Sequence, residues 1–108
     1  MTTQTELQLD PKSKLETAFL EWAETEKGLY VICETIYRAR QLIRNGFVTY
    51  GIAGIYEAIR YDRSIAIGVD IDGYKLNNNH KAYLARHIMA KCPDLDGFFT
   101  CRGLAALK

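Results

Sequence analysis

Gly73-Tyr74-Lys75-Leu76-Asn77-Asn78-Asn79-His80-Lys81-Ala82-Tyr83-Leu84-Ala85-Arg86-His87-Ile88-Met89-Ala90-Lys91-Cys92-Pro93 is the stretch on which the reading of this chain turns. A glycine follows Asp72, three asparagines stand in a row, and a helically periodic run then ends at a proline. From Tyr74 to Pro93 there are four Lys or Arg, two His and no acid. Asn78 or Asn79 suits the N-cap of the helix, because a short amide side chain can accept from the unpaired first-turn N–H groups. At about 100° per residue, Ala82, Ala85, Ile88, Met89 and Cys92 share one face. His80, Tyr83, Arg86, His87 and Lys91 fall opposite. The spacing predicts a positively charged helix presented by a small domain.

Just before this stretch the period changes. Ile65, Ile67, Val69 and Ile71 alternate with Ala66, Gly68, Asp70 and Asp72, the pattern of a half-buried strand. Asp72-Gly73 is a hairpin turn signal, with Tyr74-Lys75-Leu76 as the return strand. Further back, Ile52, Ile55, Tyr56 and Ile59 mark a helix over about Gly51 to Asp62. Phe47-Val48-Thr49-Tyr50 reads as a brief strand, and Thr49 is an alternative cap for that helix. Leu29, Ile32, Cys33, Ile36, Ala39 and Ile43 stripe a longer helix from about Leu29 that Asn45-Gly46 ends. Ser13-Lys14-Leu15-Glu16 fits a capping box for a first helix to about Lys27, its stripe Leu15, Ala18, Phe19, Trp22 and Glu26, with Gly28 as a left-handed stop. After Pro93, Asp94-Leu95-Asp96-Gly97 forms a turn and Phe98 to Arg102 a final strand.

These elements make one domain of 108 residues, 48% hydrophobic and 25% charged. Residues 1–12 read as a flexible tail, 13–102 as the globular unit and 103–108 as a C-terminal tail. No apolar run approaches the roughly 20 residues of a bilayer span, and the N-terminus lacks the pattern of a signal peptide. A cytoplasmic protein without a membrane partner is expected. Cys33, Cys92 and Cys101 show no CxxC spacing and read as small buried apolar residues. Net charge is +1, but it is polarised: −4 over residues 1–34 and +5 over residues 35–108. Such asymmetry can orient a protein on a polyanion, or simply solubilise its acidic end.

Catalysis finds little support. There is no Gly-x-Ser-x-Gly, P-loop or GxGxxG motif. His80 and His87 are seven residues apart, roughly 10 Å along a helix and too far for one ion. No metal, no cofactor and no enzymatic activity are expected. The best-supported chemistry is nucleic-acid binding. Lys75, Lys81, Arg86, His87, Lys91 and Arg102 can reach phosphates. Asn77, Asn78 and Asn79 can meet phosphate or an adenine edge, and His80 and Tyr83 complete the contact set. The bland alternative is a solvated basic face behind an asparagine-capped turn. Seven tyrosines also fit a protein-binding surface.

Taken together, Gly73-Tyr74-Lys75-Leu76-Asn77-Asn78-Asn79, Tyr83-x-Ala85-Arg86-x-x-Met89, Pro93 and Gly97-Phe98-Phe99-x-x-Arg102 resemble a family of small phage and prophage proteins. Ile55-Tyr56-Glu57-x-Ile59-Arg60 matches that family's central helix. The likeness spans Leu29 to Arg102, and the Ser13–Lys27 helix is less typical of it. It implies a winged-helix-like fold and phage origin, with no cofactor and no catalytic residues. The resulting expectation is an α+β domain of helices with a short β-hairpin or wing. Its expected role is that of a phage-encoded, non-enzymatic binder of double-stranded DNA in the bacterial host cytoplasm, a regulator and a candidate homodimer. The rival expectation is a phage accessory protein that binds and inhibits a host protein, such as a defence or transcription factor.

Overall fold

A computed structural model describes residues 11–68 and 76–100. In chain order these residues form α1 (Pro11–Ala23), α2 (Glu26–Arg44), β1 (Tyr50–Gly51), α3 (Ile52–Ile67), α4 (His80–Lys91), a 3-10 turn (Pro93–Leu95) and β2 (Phe99–Thr100). The architecture is mostly helical. β1 and β2 pair in parallel, Tyr50 beside Phe99 and Gly51 beside Thr100, and make a two-stranded sheet. The antiparallel hairpin expected at Asp72-Gly73 lies outside the described residues, as do Lys75 and Arg102.

α1 is described from Pro11, so the Ser13–Glu16 segment expected to cap it lies within the helix. α1 ends at Ala23, and Thr25 rather than Gly28 makes the break. The Thr25 hydroxyl donates to the Trp22 carbonyl at 2.6 Å and accepts from the Gly28 N–H at 3.0 Å. Gly28 therefore sits inside the first turn of α2. A Cβ there would stand 2.0 Å from the Trp22 oxygen, so the glycine serves close backbone approach, not a left-handed stop.

That approach goes with the rotation of α2. Gly28, Val31, Thr35 and Ala39 face the core, while Leu29, Cys33 and Ile43 of the expected apolar stripe are exposed. Thr35 is fully buried with its hydroxyl satisfied, because it donates to the Val31 carbonyl at 2.7 Å. The helix ends as expected at Asn45, followed by Gly46 in the left-handed region at φ 97°.

Only Tyr50 of the expected Phe47–Tyr50 strand joins the sheet, and Thr49 caps nothing because Gly51 holds the N-cap of α3. α3 buries Ile52, Ile55, Tyr56 and Ile59, the expected stripe. It runs on to Ile67, so Ile65 and Ile67 are helical and exposed rather than in a strand. Gly68, at φ 74°, closes it. The expected final strand shortens to Phe99–Thr100, and the turn before it includes Gly97 at φ 79°.

One core joins the helices. Phe19 and Ala23 of α1, Val31 and Ala39 of α2, the α3 stripe, and Leu84, Ala85 and Ile88 of α4 form it with Leu95, Phe98 and Phe99. Burying side chains of this size stabilises by about 1.5–3 kcal/mol each. No helix among the described residues is long and apolar enough to cross a membrane.

Candidate nucleic-acid interface on helix α4

The asparagine turn is anchored from beneath. Tyr56, buried in α3, donates its hydroxyl to the Asn77 carbonyl at 2.7 Å. The Asn77 side-chain oxygen then accepts the Asn79 N–H at 2.8 Å, and the His80 N–H reaches the Asn77 carbonyl at 3.0 Å. Asn79 holds the N-cap position of α4, yet its side chain makes no capping bond. The capping work falls to Asn77, and Asn77, Asn78 and Asn79 are all exposed.

The expected polar face of α4 is not a free face. His80 is 5% exposed and Tyr83 7%, both packed beneath α1. The His80 ring lies 4.8 Å from Trp22 and 5.7 Å from Phe19, centroid to centroid. Tyr83 stacks on Phe19 at 6.2 Å, and the half-buried His87 meets the Phe19 edge at 5.5 Å. Desolvation pushes His80 below its ordinary pKa. Desolvation, and then Lys91, do the same for His87. Both therefore favour the neutral imidazole, a poor phosphate ligand. The His80 Nδ1 is buried without a hydrogen-bond partner among the described residues. The reason for the difference is that α4 is covered on two sides, by α1 as well as by α3, so a two-faced projection misplaces the α1 side. The signal for it was the Phe19–Trp22 pair in α1, which needed an apolar partner.

What remains open to solvent on α4 is a narrower strip. Arg86 and Ala90 are exposed, and Ala82 and Met89 are half-buried, with exposed Asn79 at the N-terminal end of the same arc. Lys81 is half-buried and Lys91 exposed. By projection each lies roughly 140° around the helix from Arg86, so the two lysines stand on the opposite side of α4 from the strip.

The cations of the four helices are paired unevenly, and Arg44 of α2 and Lys14 of α1 make no ion pair among the described residues. Arg38 binds Glu34 at 3.0 Å and Asp62 at 2.6 Å, Arg40 binds Asp94 at 2.9 Å, and Arg60 binds Glu57 at 2.7 Å. Arg63 lies 5.0 Å over the Tyr30 ring. Lys81, Arg86 and Lys91 make no ion pair among the described residues, and none of residues 76–92 is acidic. No cluster of His, Cys, Asp or Glu able to hold a metal ion occurs among the described residues.

The chain matches no family model, no curated protein and no solved structure.

Proposed function

We propose that the domain binds double-stranded DNA, with α4 as the reading element and no catalytic role. The observation that carries this reading is the acid-free charge of α4: residues 76–92 hold no acid, and Lys81, Arg86 and Lys91 make no ion pair among the described residues, whereas Arg38, Arg40 and Arg60 of α2 and α3 are neutralised by carboxylates. Arg86 and Asn79 stand where base edges or phosphates would be met. The small Ala82 and Ala90 allow close approach to either group. Asn77 and Asn78 add amide donors at the helix N-terminus. Lys75 and Arg102 join the set on the sequence reading alone. His80, Tyr83 and His87 leave it and act instead as the seat on which α1 holds α4.

The order helix, short strand, helix, helix, strand over α2 to β2 supports a winged-helix-like arrangement in which α4 is the recognition helix. The resemblance to phage and prophage proteins supports a phage-encoded regulator at work in the bacterial cytoplasm.

The test is fluorescence anisotropy with a labelled mixed-sequence duplex across a salt series. Affinity should fall steeply with salt, as phosphate contacts release counterions. The Lys81→Glu/Arg86→Glu variant should lose binding while keeping its helical circular dichroism. Absence of binding at about 50 mM salt, where phosphate contacts are little screened, would overturn the proposal. A second reading, the inhibitor of a host protein, is favoured by the exposed Tyr37, Tyr61 and Ile65 on α2 and α3. For that reading, nuclease-insensitive capture of one stoichiometric partner that Tyr61→Glu abolishes is the expected result.

A further inference from the structure

On α3, Gly54, Ala58, Tyr61 and Ile65 lie within an arc of roughly 60° on the side away from the buried stripe. The two halves of this arc have opposite relief. In the N-terminal half, Gly54 and Ala58 border a groove of about 340 Å³ between α2 and α3, lined also by Leu42, Ile55 and Gln41. The Tyr50 ring forms one wall and comes so close to Gly54 that a Cβ there would meet it at 3.1 Å. In the C-terminal half, Tyr61 is 66% exposed and Ile65 68% exposed, large apolar side chains standing in water.

We propose that two copies of this chain pair through this face, their α3 helices antiparallel about a two-fold axis, with Tyr61 and Ile65 of each copy seated over the groove beside Gly54 and Ala58 of the other. Such an interface must be self-complementary, and a helix with a recess in one half and projections in the other meets that demand when reversed on itself. In the antiparallel register Ile65 falls opposite Gly54 and Tyr61 opposite Ala58, large against small in both directions.

Area and charge both point to a second copy as the occupant. Tyr50 walls the groove with Phe47 packed against its ring, and Tyr37 accepts a hydrogen bond from the groove residue Gln41. At roughly 200 Å² per aromatic side chain, the exposed parts of these three and Tyr61 supply on the order of 400 Å². Ile65 raises this to roughly 500 Å², the larger part of the roughly 800 Å² per partner of a stable interface. The stripe itself carries no charge. Among the described residues Arg38 is the only charged one lining the groove, and it is already bonded to Glu34 and Asp62, so an acidic peptide would find its cation taken. A neutral tyrosine or isoleucine loses nothing there. The chain's net charge of +1 also sets up no long-range repulsion between copies.

Sedimentation velocity of the full chain without DNA, from micromolar to millimolar concentration, tests this. The expected result is a reversible rise to twice the 12.3 kDa chain mass. Tyr61→Glu and Ile65→Glu should each weaken the dimer by at least about tenfold, as loss of a central anchor does. Both positions are largely exposed, so circular dichroism and the melting temperature should hold. Leu29→Glu, exposed on α2 away from the face, should leave the dimer intact. A monomer throughout the range overturns the proposal, as does a dimer indifferent to both α3 variants or one equally weakened by Leu29→Glu. The DNA reading is judged separately: a monomer that still binds duplex sinks only the pairing, and a dimer that ignores duplex sinks only the DNA reading.

Discussion

Replacing Gly28 by alanine sets two effects of opposite sign against each other. In an ordinary helix interior the change gains about 1 kcal/mol. Here the added Cβ would lie 2.0 Å from the Trp22 oxygen, 2.8 Å from its carbonyl carbon and 2.9 Å from the Ala23 Cα. All three are backbone atoms, so no side-chain rotation relieves the overlap and the end of α1 must move away from α2. The same Trp22 carbonyl accepts the Thr25 hydroxyl and, at 3.0 Å, the Thr25 N–H, so the movement also breaks the junction's hydrogen bonds. Overpacking costs about 1–3 kcal/mol and a lost N-cap about 1 kcal/mol. Set against the propensity gain, the net loss is about 2 kcal/mol. At about 4–8 °C per kcal/mol for a domain of this size, the melting temperature should fall by about 10 °C. Urea unfolding at constant slope, followed by circular dichroism, measures the difference directly. An alanine variant as stable as the parent would refute the claim that Gly28 is there for close approach.

Other expectations follow from the same geometry. Tyr56→Phe removes the hydroxyl that holds the Asn77 carbonyl. It should cost about 1 kcal/mol and speed hydrogen exchange at the Asn79 and His80 amides, and unchanged exchange would count against the anchoring role. His80 and His87 are held below their ordinary 6.5, so the unfolded chain takes up protons first as pH falls. Their contribution should be complete above about pH 6.5 and lost progressively below it. Urea midpoints between about pH 8 and pH 5 should show that decline, and His80→Phe should flatten part of it. Asp94 is also depressed, chiefly by its hydrogen bond from Arg40, and its contribution is lost only as pH falls below 3.8. Arg38→Met strands Glu34 and Asp62 at the edge of the α2–α3 groove. The loss should be about 0.5–1 kcal/mol and shrink in high salt, and a salt-independent loss in thermal melts would point to packing instead.

Much of the fold was legible where the signal is local. Asn45-Gly46 ends α2, Pro93 bars α4 from continuing, and the Ile52, Ile55, Tyr56, Ile59 spacing gives the buried side of α3. Where a residue's meaning depends on a distant neighbour, the reading failed. A glycine that ends a helix and one that lets two helices touch look identical in a string, and Gly28 is the second kind. Ile65 and Ile67 alternate as strand residues do, but two positions at the end of a sixteen-residue helix carry too little period to decide. The candidate site was half legible. Arg86, Lys91 and the asparagines are at the surface, whereas His80 and Tyr83 were assigned to solvent because nothing local reveals that α1 lies across them.

The small parallel sheet has a consequence for how the chain can vary. Tyr50 and Gly51 stand immediately before α3, and Phe99 and Thr100 follow soon after α4. The ladder therefore ties off a closed loop that contains both helices and the segment between them. Lengthening a stretch inside a loop already closed at its base adds only about 0.6 kcal/mol of entropy for each doubling of the stretch. The connection between Gly68 and Leu76 is thus free to change in length. The residues at the base of the loop, and the Tyr56 hydroxyl that meets its far end at Asn77, are not free to change. Insertions can collect in that connection at little entropic cost to the ladder that closes the loop.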